Sequence, residues 1–129
     1  MSGCALPSFC AGMDLKAFAD GELLFMEERG FAGFVSAPPS KPLITAVESY
    51  ALAAAFEIAL ACDLIVAARN AICGIPTPRR GSLAAASGLL RLPRQLPGGT
   101  AMELALTGGM FPARRTHGMG TVNRLAETL

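Results

Sequence analysis

Glu57 is the side chain in this sequence whose type and surroundings could support proton transfer. It lies in the apolar run Tyr50–Asp63 (YALAAAFEIALACD), where a strand is predicted to end and a buried helix to begin near Ala54. The first turn of a helix has backbone N–H groups without partners in the helix, and these favour an anion or a developing oxyanion. One turn later, a carboxylate among apolar neighbours is paired, reaches solvent at one edge, or has a raised pKa.

Of these three arrangements, the raised pKa suits proton transfer to carbon acids or to water. Taken alone, however, the pattern around Glu57 favours a structural role, because most glutamates in such a setting cap a helix or reach solvent. A second segment, Phe9–Lys16 (FCAGMDLK), adds the context that makes Glu57 a candidate catalytic residue.

FCAGMDLK resembles the F-x-A-G-x-D-[LI] loop of the enoyl-CoA hydratase/isomerase (crotonase) family. Residues 41–68 (KPLITAVESYALAAAFEIALACDLIVAA) resemble that family's strand–turn–helix–strand segment, K-P-x-I-A-A-V-x-G-x-A-x-G-G-G/A-x-E-x-A-L-A-C-D. Each segment is weak evidence by itself, but six of them follow in the family's order over nearly the whole chain. The other four are Gly74-Ile75-Pro76, LLRLPRQLP, AMELALTG and GMGTVNRL.

The resemblance implies an α/β protein with the crotonase-type spiral of repeated ββα units. It further implies an acyl-CoA thioester as substrate, with coenzyme A part of the substrate and no separate cofactor or metal. Two backbone N–H groups, which fall on Met13 and Ala54, would form an oxyanion hole for the thioester carbonyl and stabilise an enolate-like intermediate. Coenzyme A and substrate contacts would fall on Ala11, Asp14, Leu15, Ala53 and Pro76.

The two glutamates that handle water and proton in hydratases fall on Glu57 and Thr77. A threonine cannot act as a carboxylate acid or base, and such a group contributes roughly 10²–10⁴-fold in rate. The resemblance therefore implies a hydro-lyase or an isomerase of enoyl-CoA thioesters, but ordinary hydration is in doubt. The family's small glycines before the catalytic helix are also depleted, since this chain has Ser49, Ala54 and Ala55 there.

The predicted elements alternate between strands and helices, which is typical of an α/β fold. Asp14 is expected to cap a broken helix, and Thr100 with Glu103 is expected to form a capping box. Gly108 is expected beyond the end of that later helix. Helices are predicted over 15–28, 51–62, 82–90, 100–106 and from Pro112 to Gly118 or Gly120, and strands over 43–47, 64–68, 71–75 and 121–125.

Composition narrows the class of protein. Hydrophobic residues make up 52 % and charged residues 16 % of the chain, which favours either a membrane protein or the buried centre of something larger. Glu57 and Asp63 interrupt the most apolar run, so no membrane span is predicted, and Met1–Phe9 lacks the pattern of a signal peptide. A net charge of +1 argues against a nucleic-acid surface.

The four cysteines are Cys4, Cys10, Cys62 and Cys73. Because no pair has CxxC spacing, they are expected to be free thiols in a cytoplasmic protein.

Residues 1–129 are expected to form one partial crotonase-like domain that lacks the family's N-terminal strands and C-terminal trimerisation helices. Its apolar faces would then be covered in a homo-oligomer or against a full-length relative. Three hypotheses follow. The chain is an enzyme with Glu57 as the surviving acid–base residue, a non-catalytic fragment that binds CoA thioesters or packs against a partner, or a decayed gene product.

Overall fold

The predicted alternation of strands and helices is present in the computed structural model, which describes residues 8–22 and 25–127. The helices are α1 (Leu15–Ala19), α2 (Ala54–Ala61), α3 (Gly88–Gln95), α4 (Gly98–Thr107) and α5 (Ala113–Gly118), with a 3₁₀ helix at Thr77–Arg80. The strands are β1 (Phe25–Met26), β2 (Gly30–Phe31), β3 (Ile44–Val47), β4 (Tyr50–Leu52), β5 (Leu64–Ala68), β6 (Ile72–Gly74), β7 (Met110–Pro112) and β8 (Arg124–Ala126).

Successive ββα turns lie beside one another. The turn β3–β4–α2 is followed by β5–β6 and then α3, and each strand of the second turn runs parallel to its counterpart in the first. Ile44 pairs with Leu64 between β3 and β5, and Tyr50 pairs with Ile72 between β4 and β6. β8 adds a third parallel strand beside β5, and β7 runs antiparallel to β6. This repeated parallel pairing produces the predicted spiral.

Helix α2 occupies the centre of the molecule. Every residue from Ala54 to Ala61 except Ile58 is buried, as the alanine-rich, apolar sequence predicts. Alanine methyl groups let the helix approach the strands closely, while Phe56 and Leu60 fill the larger gaps in the core. The other large, fully buried core side chains are Ile65, Ile75, Leu92 and Leu104.

The first predicted helix is correct only at its start. Asp14 caps α1 as expected, accepting hydrogen bonds from the Lys16 and Ala17 amides at 2.9 and 3.1 Å. The helix then ends at Ala19, and the hairpin β1–β2 replaces its predicted second half. Phe25 and Phe31 pair edge to face across this hairpin, with ring centroids 5.7 Å apart. Cross-strand aromatic packing therefore outweighs the approximate helical spacing.

The prediction for α3 is wrong at both ends. The helix begins at Gly88 instead of Ser82 and continues through Pro93 to Gln95. Pro93 lies inside the helix, so its missing N–H removes the one hydrogen bond that position 93 would donate to the Leu89 carbonyl. The start is delayed because Ser87 has a left-handed backbone conformation, with φ of 74°.

The capping box predicted in α4 is also wrong. The helix begins at Gly98, which puts Thr100 inside its first turn, and the Glu103 carboxylate instead contacts the Arg115 guanidinium at 3.2 Å. Gly108 ends the helix in the left-handed conformation, as predicted.

Strand β3 is only half-buried, with Ile44 64 % exposed, because its side chains alternate between core and surface.

The described cysteines, Cys10, Cys62 and Cys73, are free thiols, and Cys4 lies outside the described residues. In the described ranges none of the helices is both long and apolar enough to cross a membrane.

The backbone entering α2 is strained at two positions where L-residues are disfavoured. Ser49 has φ of 65°, and Ala53, which precedes the helix, has φ of 54° and ψ of −127°. The expected depletion of glycine is therefore real, but Ala54 and Ala55 are ordinary helical residues, and the strain lies at Ser49 and Ala53. A Cβ at such a φ costs on the order of 1–2 kcal/mol.

Replacing Ala53 by glycine is expected to raise the free energy of unfolding by about 1 kcal/mol, because glycine adopts this φ without strain. Ala55→Gly, two residues later in the buried helix, is the matched control and is expected to lower it by about 1 kcal/mol. Urea denaturation followed by circular dichroism measures both. A lower stability of the Ala53→Gly variant would contradict the assigned strain.

Candidate active site

A cavity of about 620 Å³ lies where the N-terminal loop, the start of α2 and the segment after β6 meet. Much of its wall is apolar, including Phe18, Phe25, Leu52 and Leu83. The structure brings all the predicted site residues to this cavity except Asp14. Those that line it are Ala11, Met13, Leu15, Ala53, Ala54, Glu57, Pro76 and Thr77.

Asp14 has a different position from the one expected. Its side chain is exposed and bound to the amides of the first turn of α1, so its role in the structure is to start that helix. Because Leu15 and Phe18 of α1 line the cavity, the cap helps to shape the wall, although Asp14 itself is not part of it.

Backbone pairing brings the N-terminal loop to the catalytic helix. The Cys10 amide donates to the Tyr50 carbonyl at 3.1 Å, and the Leu52 amide donates back to the Cys10 carbonyl at 3.2 Å. Gly12, with φ of 107°, then turns the chain so closely that a Cβ there would lie 3.0 Å from the Leu52 oxygen and 3.3 Å from the Ala54 nitrogen. The Met13 and Ala54 segments are therefore adjacent in space.

The amides of Met13 and Ala54 have no acceptor among the described residues. Ala54 is the first residue of α2, where the N–H groups carry partial positive charge. The preceding amide, that of Ala53, donates to the Gly74 carbonyl at 2.9 Å and so fixes the start of the helix against β6. Both free amides belong to residues that line the cavity, where they can donate to an anionic oxygen.

The Glu57 carboxyl is 2 % exposed and lines the same cavity. Its Oε1 atom accepts a hydrogen bond from the Gly88 amide at 2.7 Å. Burial raises the pKa of Glu57 above its ordinary value of 4.5, and hydrogen bonds from the Gly88 and Ala86 backbone oppose the rise. A carboxyl with a raised pKa that is held in one orientation suits proton transfer.

Gly88 is a site residue that the sequence reasoning missed. A Cβ at this position would lie 2.6 Å from Glu57 Cγ and 2.8 Å from Oε1, so only glycine allows the backbone to approach the carboxyl. A glycine inside the helix predicted over 82–90 was the available signal for such an approach, because glycine in a helix interior often has a packing reason. The residues in contact lie 31 positions apart, a distance that local patterns do not bridge.

Thr77 begins the 3₁₀ helix directly after Pro76 and lines the cavity. Among the described lining residues, Glu57 is the only one with an acidic side chain. Arg79 and Arg80 are exposed lining residues, and Arg79 Nε donates to the Thr107 carbonyl at the end of α4 at 3.3 Å. The arrangement thus offers two backbone donors, one carboxyl and one hydroxyl in a largely apolar cavity.

Comparison with known proteins is consistent with this geometry. The family described as enoyl-CoA hydratase/isomerase matches residues 2–127. The chain is 43 % identical to a mevalonyl-coenzyme A hydratase of Aspergillus fumigatus over 93 % of its own length and 46 % of that protein. It is 37 % identical to a carnitinyl-CoA dehydratase of Proteus mirabilis over 98 % of its length and 50 % of that protein.

Solved structures show the same likeness. An enoyl-CoA hydratase from Mycobacterium marinum is 60 % identical, with a TM-score of 0.91 over 96 % of this chain and 49 % of that one. A carnitinyl-CoA dehydratase from Mycobacterium avium is 45 % identical, with a TM-score of 0.89 over 93 % of this chain and 48 % of that one. The chain spans about half the length of the curated relatives it matches.

Gly88→Ala is expected to lower the free energy of unfolding by about 1–3 kcal/mol, because the added methyl group collides with the Glu57 side chain. Gly99→Ala, in the first turn of α4 with no atom within 4 Å of the added Cβ, is the control and is expected to be neutral or stabilising. Thermal and urea denaturation measure both. Equal effects of the two changes would show that Gly88 does not contact Glu57 closely.

Glu57→Gln is expected to stabilise the protein at neutral pH, because it removes a buried group whose folded-state pKa is raised. The folded protein holds this proton more tightly than the unfolded chain, so the wild type loses stability as pH rises from about 4.5 through the raised pKa. The difference in Tm between variant and wild type should grow over that window and then level off. A difference that is independent of pH would contradict the raised pKa.

Proposed function

Because the chain belongs to the enoyl-CoA hydratase/isomerase family and has the crotonase fold, we propose that it acts on an acyl-CoA thioester through an enolate-like intermediate. The observation that carries the proposal is the meeting, in one cavity, of the buried Glu57 carboxyl with the amides of Met13 and Ala54.

The amides of Met13 and Ala54 would form the oxyanion hole. When a proton leaves carbon 2 of a thioester, negative charge moves to the carbonyl oxygen, and two fixed donors stabilise that charge without reorganising. Loss of one such donor typically costs about 10²–10³-fold in rate. The position of Ala54 at the start of α2 adds the partial positive charge of the helix terminus.

Glu57 would act as the general base and then as the acid. Its carboxylate takes the proton from carbon 2, the C–H electron pair forms the enolate, and the carboxylic acid returns the proton to carbon. The Gly88 amide holds Oε1 and so fixes the orientation of the carboxyl within the cavity. Apolar surroundings keep water away from the enolate and raise the pKa of Glu57 toward that of an effective base.

The remaining lining residues would bind the substrate. Ala11 and Leu15, which come from the N-terminal segment that lines the cavity, would contact coenzyme A, and Ala53 and Pro76 would contact the acyl group. Asp14 would act indirectly, by holding α1 and therefore Leu15 in place.

A second candidate function is binding of CoA thioesters without catalysis. Thr77 favours it, since a neutral hydroxyl replaces the second acid–base group and leaves Glu57 as the only described acid of the cavity. Proton exchange at carbon 2 needs one base, whereas addition of water to an enoyl thioester also uses a second acid–base group. The two candidates therefore differ in a measurable reaction.

The wild type is expected to exchange the carbon-2 protons of butyryl-CoA for deuterium in D₂O, and Glu57→Gln is expected to slow the exchange by about 10²–10⁴-fold. Mass spectrometry of the recovered thioester measures the rate. Affinity for butyryl-CoA, measured by calorimetry, should remain similar in the variant because the amide keeps the shape of the carboxyl.

Thr77→Glu provides the complementary test and is expected to gain crotonyl-CoA hydration, followed by the loss of enoyl absorbance. Exchange at equal rates in wild type and Glu57→Gln would refute the role of Glu57. Saturable thioester binding with no exchange in any variant would support the second candidate.

A further inference from the structure

The aromatic hairpin β1–β2 forms part of the cavity wall but has little support of its own. Phe25 and Phe31, one from each strand, line the cavity. Each strand is two residues long, and Phe25 and Met26 are 46 % and 59 % exposed. A two-stranded hairpin of this size is at best marginally stable alone. Contacts from another part of the chain must therefore hold this wall against the cavity.

Arg91 of α3 supplies such a contact. Val35, which follows β2, is 2 % exposed, so its carbonyl oxygen needs a donor from the protein. Arg91 Nη2 donates to this oxygen at 2.7 Å, across 56 positions of the chain. The Val35 amide donates to the Phe31 carbonyl at 3.3 Å. The next amide, that of Ser36, donates to the Arg29 carbonyl at 3.0 Å. Through these bonds, a fixed Val35 restrains both sides of the hairpin.

A second nitrogen of the same guanidinium group fixes the direction of the Arg91 side chain. Arg91 Nε donates to Ser87 Oγ at 2.9 Å, one helical turn earlier. Ser87 is the left-handed residue before Gly88, whose amide holds the Glu57 carboxyl. Both acceptors are neutral oxygen atoms, so these bonds fix positions through the rigid geometry of the guanidinium fork. One side chain thus connects the aromatic wall to the turn that orients the buried carboxyl.

We infer that Arg91 is a positioning residue that holds the β1–β2 hairpin as a wall for an apolar acyl chain. The inference rests on the proposed function, which fixes the thioester at the two free amides and Glu57 and leaves the acyl chain to the apolar lining. Phe25 and Phe31 offer apolar surface, which suits a hydrocarbon chain better than the phosphates of coenzyme A. Arg91 itself lies outside the cavity lining, so it acts through the wall, and its effect on affinity grows with chain length.

Calorimetric titration with acetyl-, butyryl- and octanoyl-CoA tests the inference, because these ligands differ only in the length of the acyl chain. Arg91→Lys keeps the positive charge but offers one nitrogen in place of two. It is expected to raise the Kd for octanoyl-CoA by about 10-fold or more, the range for a hydrogen bond to a charged group, and the Kd for acetyl-CoA by less than about 2-fold. Arg94→Lys, at an exposed position of the same helix, is the matched control and should leave all three Kd values unchanged.

Limited proteolysis tests the anchoring of the hairpin without any substrate. Trypsin cleaves after arginine, and Arg29 is exposed in the turn between β1 and β2. Arg91→Lys is expected to speed cleavage at Arg29 by about 5-fold or more, because a hairpin without its anchor opens more often. Arg94→Lys should be cleaved there at the wild-type rate. Mass spectrometry of the fragments measures the rates, and equal rates in wild type and Arg91→Lys overturn the anchoring.

The outcomes separate the two proposals. An equal loss of affinity at all three chain lengths, or unchanged octanoyl-CoA binding in Arg91→Lys, overturns the role of Arg91 and leaves the proposed function standing. Failure of the wild type to bind any of the three thioesters overturns the proposed function and this inference with it.

Circular dichroism verifies that each variant is folded. If Arg91→Lys does not fold, Ser87→Ala removes one of the two acceptors and leaves the arginine in place. It is expected to weaken octanoyl-CoA binding by about 2- to 5-fold, the loss of one neutral hydrogen bond, and acetyl-CoA binding by less. The absence of any dependence on chain length in this variant overturns the inference equally.

Discussion

The hydrogen bond from the Gly88 amide to the Glu57 carboxyl is the interaction on which the site depends. A carboxyl group that is 2 % exposed would be costly in an apolar helix unless a fixed donor met it, and the backbone of the next spiral turn supplies that donor. The bond also requires the left-handed Ser87, the glycine at position 88 and the late start of α3. Much of the local irregularity in this part of the chain therefore serves one buried group.

Strong local patterns made the central elements predictable from sequence. The run Leu64–Ala68 is a strand with the expected bounds, and the alanine-rich segment forms the buried helix α2, because in both the apolar residues leave few alternatives. The resemblance to the enoyl-CoA hydratase/isomerase family added what periodicity does not contain, namely that Met13, Ala54, Glu57 and Thr77 belong to one cavity. The two segments that carry Met13 and Ala54 are indeed adjacent.

What the sequence did not reveal depends on contacts between distant segments. The hairpin β1–β2 forms through the pairing of Phe25 with Phe31, and α3 begins where Gly88 meets Glu57, so neither follows from local spacing. The sequence comparison identified Ser49, Ala54 and Ala55 as positions that lack the family's glycines, but the strain lies at Ser49 and Ala53, because only the backbone path shows which residue turns the chain before the helix. Functional positions are where local rules are most often broken, and these deviations lie around the cavity.

The spiral also determines when the site can exist during folding. Ala54 and Glu57 come from one ββα turn, whereas Thr77 and Gly88 come from the next, so no single turn contains a working cavity. Docking of the second turn onto the first closes long loops before it gains its contacts, which makes it a late and slow step. Partial opening between the turns would separate the Glu57 carboxyl from the Gly88 amide and would break the β3–β5 and β4–β6 pairing at the same time. In such a protein, catalytic activity depends on the contact between successive turns of the spiral, and it is lost together with the strand pairing that joins them.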